Sequence, residues 1–275
     1  MIIFASYQLK QYTMKTLTII FFFFLYNFSI SQKLEAIMIL GHVDNKNRNN
    51  DTIKGSTYQK FLIDIEKEAA FLESKGVIVH KFYGDNAKWK DIIKVSPNCS
   101  FFIYAGHGND GGHLALSPEK YTINKKYTEY DIIDTLRINE LKLKKNSLVI
   151  MNHACTSAGS SASDKTVITK EKATERTEAY INFFINSGAS AYFATNTSGG
   201  VYDVLAYLYS GNNLISFVNG TGLGYCEKEE LNIYYKKSKD IKYILYSTFV
   251  GIKNYGFDLC ICANPNFSLN KIREK

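Results

Sequence analysis

The sequence predicts an α/β fold, a three-layer sandwich with a mostly parallel central sheet. Three observations carry this prediction. Short apolar runs recur along the chain at Ala36–Gly41, Val77–Phe82, Ser100–Ala105, Ser147–Asn152 and Ala189–Thr195. Between them lie segments of helical spacing, so strand and helix alternate. The runs are continuous rather than alternating in polarity, the pattern of strands buried on both faces of a parallel sheet. No internal repeat and no Pro/Gly-rich linker breaks this order, and 275 residues are enough for one substantial core, so residues 32–275 read as a single domain.

Taken in order, AIMILG (Ala36–Gly41) reads as the first buried strand, followed by a polar loop over His42–Ser56. Tyr58, Phe61, Leu62, Ile65, Ala69 and Leu72 recur at three- and four-residue steps and mark a helix that Gly76 ends. A strand at Val77–Phe82, a short helix at Trp89–Val95 and the strand SFFIYA (Ser100–Ala105) come next. A connection with Gly111-Gly112 and a helix expected near Tyr130–Leu141 leads into SLVIMN (Ser147–Asn152). The polar stretch Thr156–Lys172 reads as a mobile loop, ahead of a helix over Thr177–Asn186 and the strand ASAYFAT (Ala189–Thr195). Beyond a helix near Tyr202–Tyr209, apolar pieces at Ile241–Ile252 and Phe257–Cys262 fit antiparallel edge strands or a hairpin.

The amino terminus reads as an export signal. Lys15 precedes an uncharged apolar run from Leu17 to Phe28, and Ser29-Ile30-Ser31 supplies small residues for cleavage. That run is well short of the ~20 apolar residues a membrane-spanning helix needs, so stable membrane insertion is not expected after cleavage. Residues 1–31 hold Lys10 and Lys15 and no acidic residue, which leaves 31 basic and 26 acidic groups and a net charge of +5. These charges are dispersed, with no Arg-rich or aromatic-interleaved strip, so no nucleic-acid partner is expected. The five cysteines include no CxxC pair, and their odd number in an exported chain points to one thiol kept free, for which Cys155 is the candidate. The spacing of His42, His107, His113 and His153 with Cys155 matches no metal motif, and the glycine-rich stretches match no phosphate loop, so no metal and no cofactor is expected.

Ligand chemistry in parallel sheets gathers at the carboxyl ends of the strands. SFFIYA runs directly into Gly106-His107-Gly108, and SLVIMN runs into His153-Ala154-Cys155. Parallel neighbours would place His107 and Cys155 at one sheet edge, 48 residues apart in sequence. A thiol is a strong nucleophile as thiolate, and an imidazole that takes its proton supplies that state. Backbone N–H groups of Gly108 and Cys155 then fit an oxyanion hole.

These residues, FFIYAGHG (Phe101–Gly108) and LVIMNHACTSAGSS (Leu148–Ser161), resemble the caspase-hemoglobinase fold of caspases, paracaspases, legumains, clostripain, gingipains and CHAT domains. WKDIIK and AYINFFINSGASAYFAT (Ala179–Thr195) are similar to bacterial members, and the resemblance covers residues 36–210. It implies a caspase-like cysteine endopeptidase with His107 and Cys155 as catalytic dyad and a protein or peptide as substrate. It also implies that His153, two residues before the nucleophile, lines the pocket for the residue preceding the scissile bond. The chain departs from the family there, since caspases carry Gln and legumains Glu, and the caspase QAC-x-G signature is absent.

Asp44, just beyond the first strand, is similar in position to the acidic residue that holds a basic substrate side chain in paracaspase-like relatives. A carboxylate facing Arg or Lys gains a charge-assisted hydrogen bond of about 1.5–3 kcal/mol. Arg48 and a protonated His153 would favour an acidic substrate residue instead. The alternative function is a caspase-like module that binds protein without cutting it, and the sequence leaves the oligomeric state open. N-terminal sequencing of secreted protein is expected to start near Gln32; a retained Phe21–Phe24 segment would overturn the export reading.

Overall fold

The computed structural model describes residues 33–41, 43, 57–116, 131–133, 140–196, 200–221, 225–231, 241–250 and 253–274. The expected export signal, His42, Asp44 and Arg48 lie outside these residues, as does the side chain of Cys226. From Leu34 onward the chain forms one compact unit.

Each apolar run becomes a strand: β1 (Glu35–Leu40), β2 (Ile78–Tyr83), β3 (Phe101–Ala105), β6 (Leu148–Asn152) and β7 (Ala191–Thr195). They pair in parallel in the order β2-β1-β3-β6-β7. The sheet then reverses direction: β10 (Lys253–Ala263) runs antiparallel to β7, followed by β9 (Lys242–Val250) and β8 (Tyr225–Leu231), for eight described strands. The α/β three-layer architecture is therefore as expected, and the C-terminal apolar pieces are antiparallel strands.

Strand side chains alternate between two buried faces. Met38, Ile103, Ile150 and Phe193 face the helices α1 (Thr57–Ser74), α4 (Gly200–Tyr209), α5 (Phe217–Thr221) and α6 (Leu269–Arg273). Ile39, Phe102, Val149 and Tyr192 face α2 (Trp89–Val95) and α3 (Lys170–Asn186). With helices on both sides, a strand has no polar face to present, which is why its sequence shows no alternation. Among the described residues no helix is long and apolar enough to cross a membrane.

Of the helix expected near Tyr130–Leu141, Tyr130 and residues 134–139 lie outside the described residues, and the first described part is not helical. Asp131–Ile133 is a strand, β5, which pairs antiparallel with β4 (Leu114–Leu116). Two consecutive β-branched isoleucines find a partner strand there, and pairing outweighs the local helical spacing. Helix α3 begins at Lys170, earlier than the expected Thr177, because the Thr169 hydroxyl caps it by accepting from the Lys172 amide.

Glu68 is a charged-type residue on the buried face of α1. It is 1% exposed, and its Oε2 has no hydrogen-bond partner among the described residues. Burial, and next the charge of Asp64, pushes its carboxyl from 4.5 up to about 8, against a smaller opposing pull from Lys67. The folded state thus keeps a proton that the unfolded chain gives up near pH 4.5, so the contribution of Glu68 to stability is fullest below that pH and is lost as pH rises through about 8. Glu68→Gln is expected to abolish this decline and to stabilise the protein at alkaline pH by about 5 kcal/mol at most. Urea unfolding across the pH range checks it, and parallel curves for both proteins would refute it.

Candidate active site

Strands β3 and β6 are adjacent and parallel, with Ala105 opposite Asn152. The chain therefore leaves the sheet at one edge in both loops, two residues before His107 and three before Cys155. Gly108 shows how close the loops come: a Cβ there would lie 2.8 Å from the Cys155 carbonyl oxygen and 2.3 Å from the Tyr180 hydroxyl. No other residue fits this approach without displacement.

Three buried tyrosines fix the loops through their hydroxyls. Tyr104, on β3, is within 2.7 Å of the His107 carbonyl and 2.9 Å of the Ala115 carbonyl, to which its proton can go, and it accepts from the Ala115 amide at 3.1 Å. Tyr180, on α3, accepts from the Asn109 amide at 2.9 Å and reaches the Cys155 carbonyl at 3.0 Å. Tyr192, on β7, donates to the Ser157 carbonyl at 2.8 Å. Each hydroxyl carries one proton and two lone pairs, enough to join two backbone groups.

Cys155 sits on a sharp turn. His153 and Thr156, on either side of it, have φ of 53° and 68°. Left-handed backbone is uncommon for non-glycine residues and strained for a β-branched one, and such strain gathers at functional sites. The turn is held by the His153 amide donating to the Thr195 carbonyl at 2.9 Å, and by the Ser160 amide donating to Phe257 at 2.7 Å. Cys155 is half-buried, and among the described residues neither it nor Cys99, Cys260 or Cys262 forms a disulfide. The expectation of a single unpaired thiol is thus not met. Among the described residues, neither the Gly108 nor the Cys155 amide donates a hydrogen bond.

Two clefts meet at Cys155. One, of about 740 Å³, runs past Gly108, Asp110, His113 and Ser161; the other, of about 290 Å³, is walled by His153, Ser160, Asn196 and Asp258. His107 is half-buried next to Gly108. His153 stacks on Phe61 of α1 with ring centroids 4.8 Å apart. Burial lowers its pKa, with Asp64 opposing, so the ring stays neutral at neutral pH. The protonated His153 weighed above as a reason for an acidic substrate residue is therefore not the neutral-pH state.

The segment after Cys155 is anchored rather than loose. Arg176 of α3 makes a two-pronged pair with Asp164 at 2.8 and 2.9 Å, donates to the Gly159 carbonyl at 3.2 Å, and meets Asp110 of the other loop at 3.0 Å. The guanidinium holds the Asp164 carboxyl below its usual range. Tyr104, Tyr180, Tyr192, Arg176 and Asp258 are the residues that sequence reasoning missed. The one available signal was a polar stretch of some length that needed an anchor, for which Arg176 lay close by.

Arg176→Met is expected to free the anchored segment, so that trypsin cuts at exposed Lys165 in the variant long before it cuts the unaltered protein. Tyr180→Phe is expected to lower stability by about 1–3 kcal/mol, since two backbone groups lose their partner in a buried site. Equal digestion rates, or equal denaturation midpoints, would overturn the respective assignment.

No family model matches this chain, and no curated protein does. Among solved structures, the crystal structure of protein GSU0716 from Geobacter sulfurreducens is similar at 14% identity, over 68% of this chain and 87% of that one, with a TM-score of 0.33.

Proposed function

We propose that this protein is an exported, caspase-like cysteine endopeptidase in which Cys155 is the nucleophile and His107 the base. The observation that carries the reading is the parallel pairing of β3 with β6, which brings the His107 and Cys155 loops to one edge with Gly108 packed on Cys155. His107 takes the thiol proton as sulfur attacks the scissile carbonyl carbon. The carbonyl oxygen gains the displaced electron pair and accepts hydrogen bonds from the amides of Gly108 and Cys155, which donate to none of the described residues. Collapse expels the amine, which receives the proton from His107 and leaves a thioester. Water, deprotonated by the same imidazole, then releases the acid and restores the thiol.

The smaller cleft beside Cys155 is the proposed pocket for the residue preceding the scissile bond, with neutral His153 as one wall. The Asp258 carboxyl group on its lining supports a preference for Arg or Lys. Asp44 remains a proposed contributor from outside the described residues.

Fluorogenic peptides differing only at that position test both points. Cys155→Ala is expected to lose essentially all hydrolysis while keeping its circular dichroism, and His107→Ala to lose about 10²–10⁴-fold. Selective iodoacetamide labelling of Cys155, abolished in His107→Ala, is the matching chemical readout. A folded Cys155→Ala protein as active as the original would overturn the assignment, and a native protein that binds peptides without cutting them would make it a binding module. Faster cleavage after Asp than after Arg would remove the basic preference.

A further inference from the structure

A second cluster of reactive side chains lies at the opposite, amino-terminal end of the sheet. Glu35 opens β1, His80 lies on the edge strand β2, and Cys99 precedes β3. The backbone brings them together, since Ile37 pairs with His80 and the Ser100 amide donates to the Glu35 carbonyl at 2.7 Å. One carboxylate oxygen, one imidazole nitrogen and the Cys99 sulfur all lie within 4.8 Å of one another. Among the described residues, no other trio of such groups converges in this way. Glu35 Oε2 and His80 Nε2 are 2.8 Å apart, and the Cys99 thiol donates to the Val95 carbonyl at 3.2 Å.

We propose that Glu35, His80 and Cys99 form a binding site for one zinc ion per chain. A thiolate and an imidazole are ligands that select zinc over magnesium or calcium, and a carboxylate completes three protein ligands, leaving the fourth tetrahedral position to water. Zinc bonds of about 2.0–2.3 Å require donors closer together than the present spread, by roughly 1 Å. Cys99 is fully buried and fixed by its neighbours, whereas the Glu35 and His80 side chains keep 21% and 28% exposure, so the two movable ligands are those on the solvent side. Binding displaces the thiol proton to solvent and replaces the carboxylate–imidazole pair by two metal bonds. The ion would tie β1, the edge strand β2 and the start of β3 together, a staple independent of the chemistry proposed at Cys155.

The test uses the full chain carrying Cys155→Ala, so that the thiol at the other edge does not compete. Equilibrium dialysis against zinc chloride followed by elemental analysis is expected to find one zinc per chain, with a thermal midpoint that rises with zinc concentration. Cobalt(II) in its place is expected to show a thiolate charge-transfer band in the near ultraviolet. Adding Cys99→Ser is expected to abolish both the bound metal and the band. Should that variant fail to fold, His80→Gln on the edge strand is expected to lose the metal in its stead. A chain that takes up no zinc, a cobalt spectrum without a thiolate band, or retention unchanged in the folded ligand variants would overturn the proposal.

Discussion

The buried hydroxyl of Tyr180 joins two loops that the sheet can only bring near each other. Parallel pairing fixes β3 against β6 as far as Ala105 and Asn152, and beyond that point the two segments no longer pair with each other. Tyr180, arriving from α3, supplies the missing bonds by accepting from Asn109 in one loop and reaching the Cys155 carbonyl in the other. Tyr104 and Tyr192, on the strands on either side of β6, each hold one of these loops: Tyr104 at the His107 and Ala115 carbonyls, Tyr192 at the Ser157 carbonyl. The aromatic rings fill the core between sheet and helix while their oxygens satisfy backbone groups that would otherwise be buried without partners. The packing and the loop geometry thus come from the same side chains.

Charge adds a second restraint of a different kind. Arg176 is nearly buried, yet its guanidinium meets Asp164, Gly159 and Asp110, so it connects the segment after Cys155 with the segment after His107. Its planar fork suits the two carboxylate oxygens of Asp164, which a lysine would not match. Together with the left-handed residues His153 and Thr156, these contacts hold Cys155 on a turn whose backbone is itself unfavourable. The surrounding bonds over-determine that turn.

Much of the architecture was legible because a strand covered on both faces must be apolar throughout, as FFIYA and LVIMN are. The placement of His107 and Cys155 was legible for the same reason, since each directly follows such a run. Asp131–Ile133 was misread because helical spacing is visible locally, whereas its pairing with Leu114–Leu116 is not. The tyrosine and arginine contacts leave no period in the sequence: a hydroxyl that bonds a carbonyl 25 residues away looks like any other core tyrosine. Glu35, His80 and Cys99 were hidden likewise, because only the strand register makes them neighbours.

The reversal of strand direction at β10 bears on the order in which the molecule is made. Phe257 and Asp258 lie on this late strand, and their carbonyls accept from Ser160 and from Asn196 at 2.7 and 2.9 Å. On a ribosome, the turn that carries Cys155 emerges about 100 residues before the strand that holds it. Contacts of such long sequence separation form late in folding. The nascent chain therefore carries Cys155 without its finished surroundings, and the turn is completed only once β10 has been made.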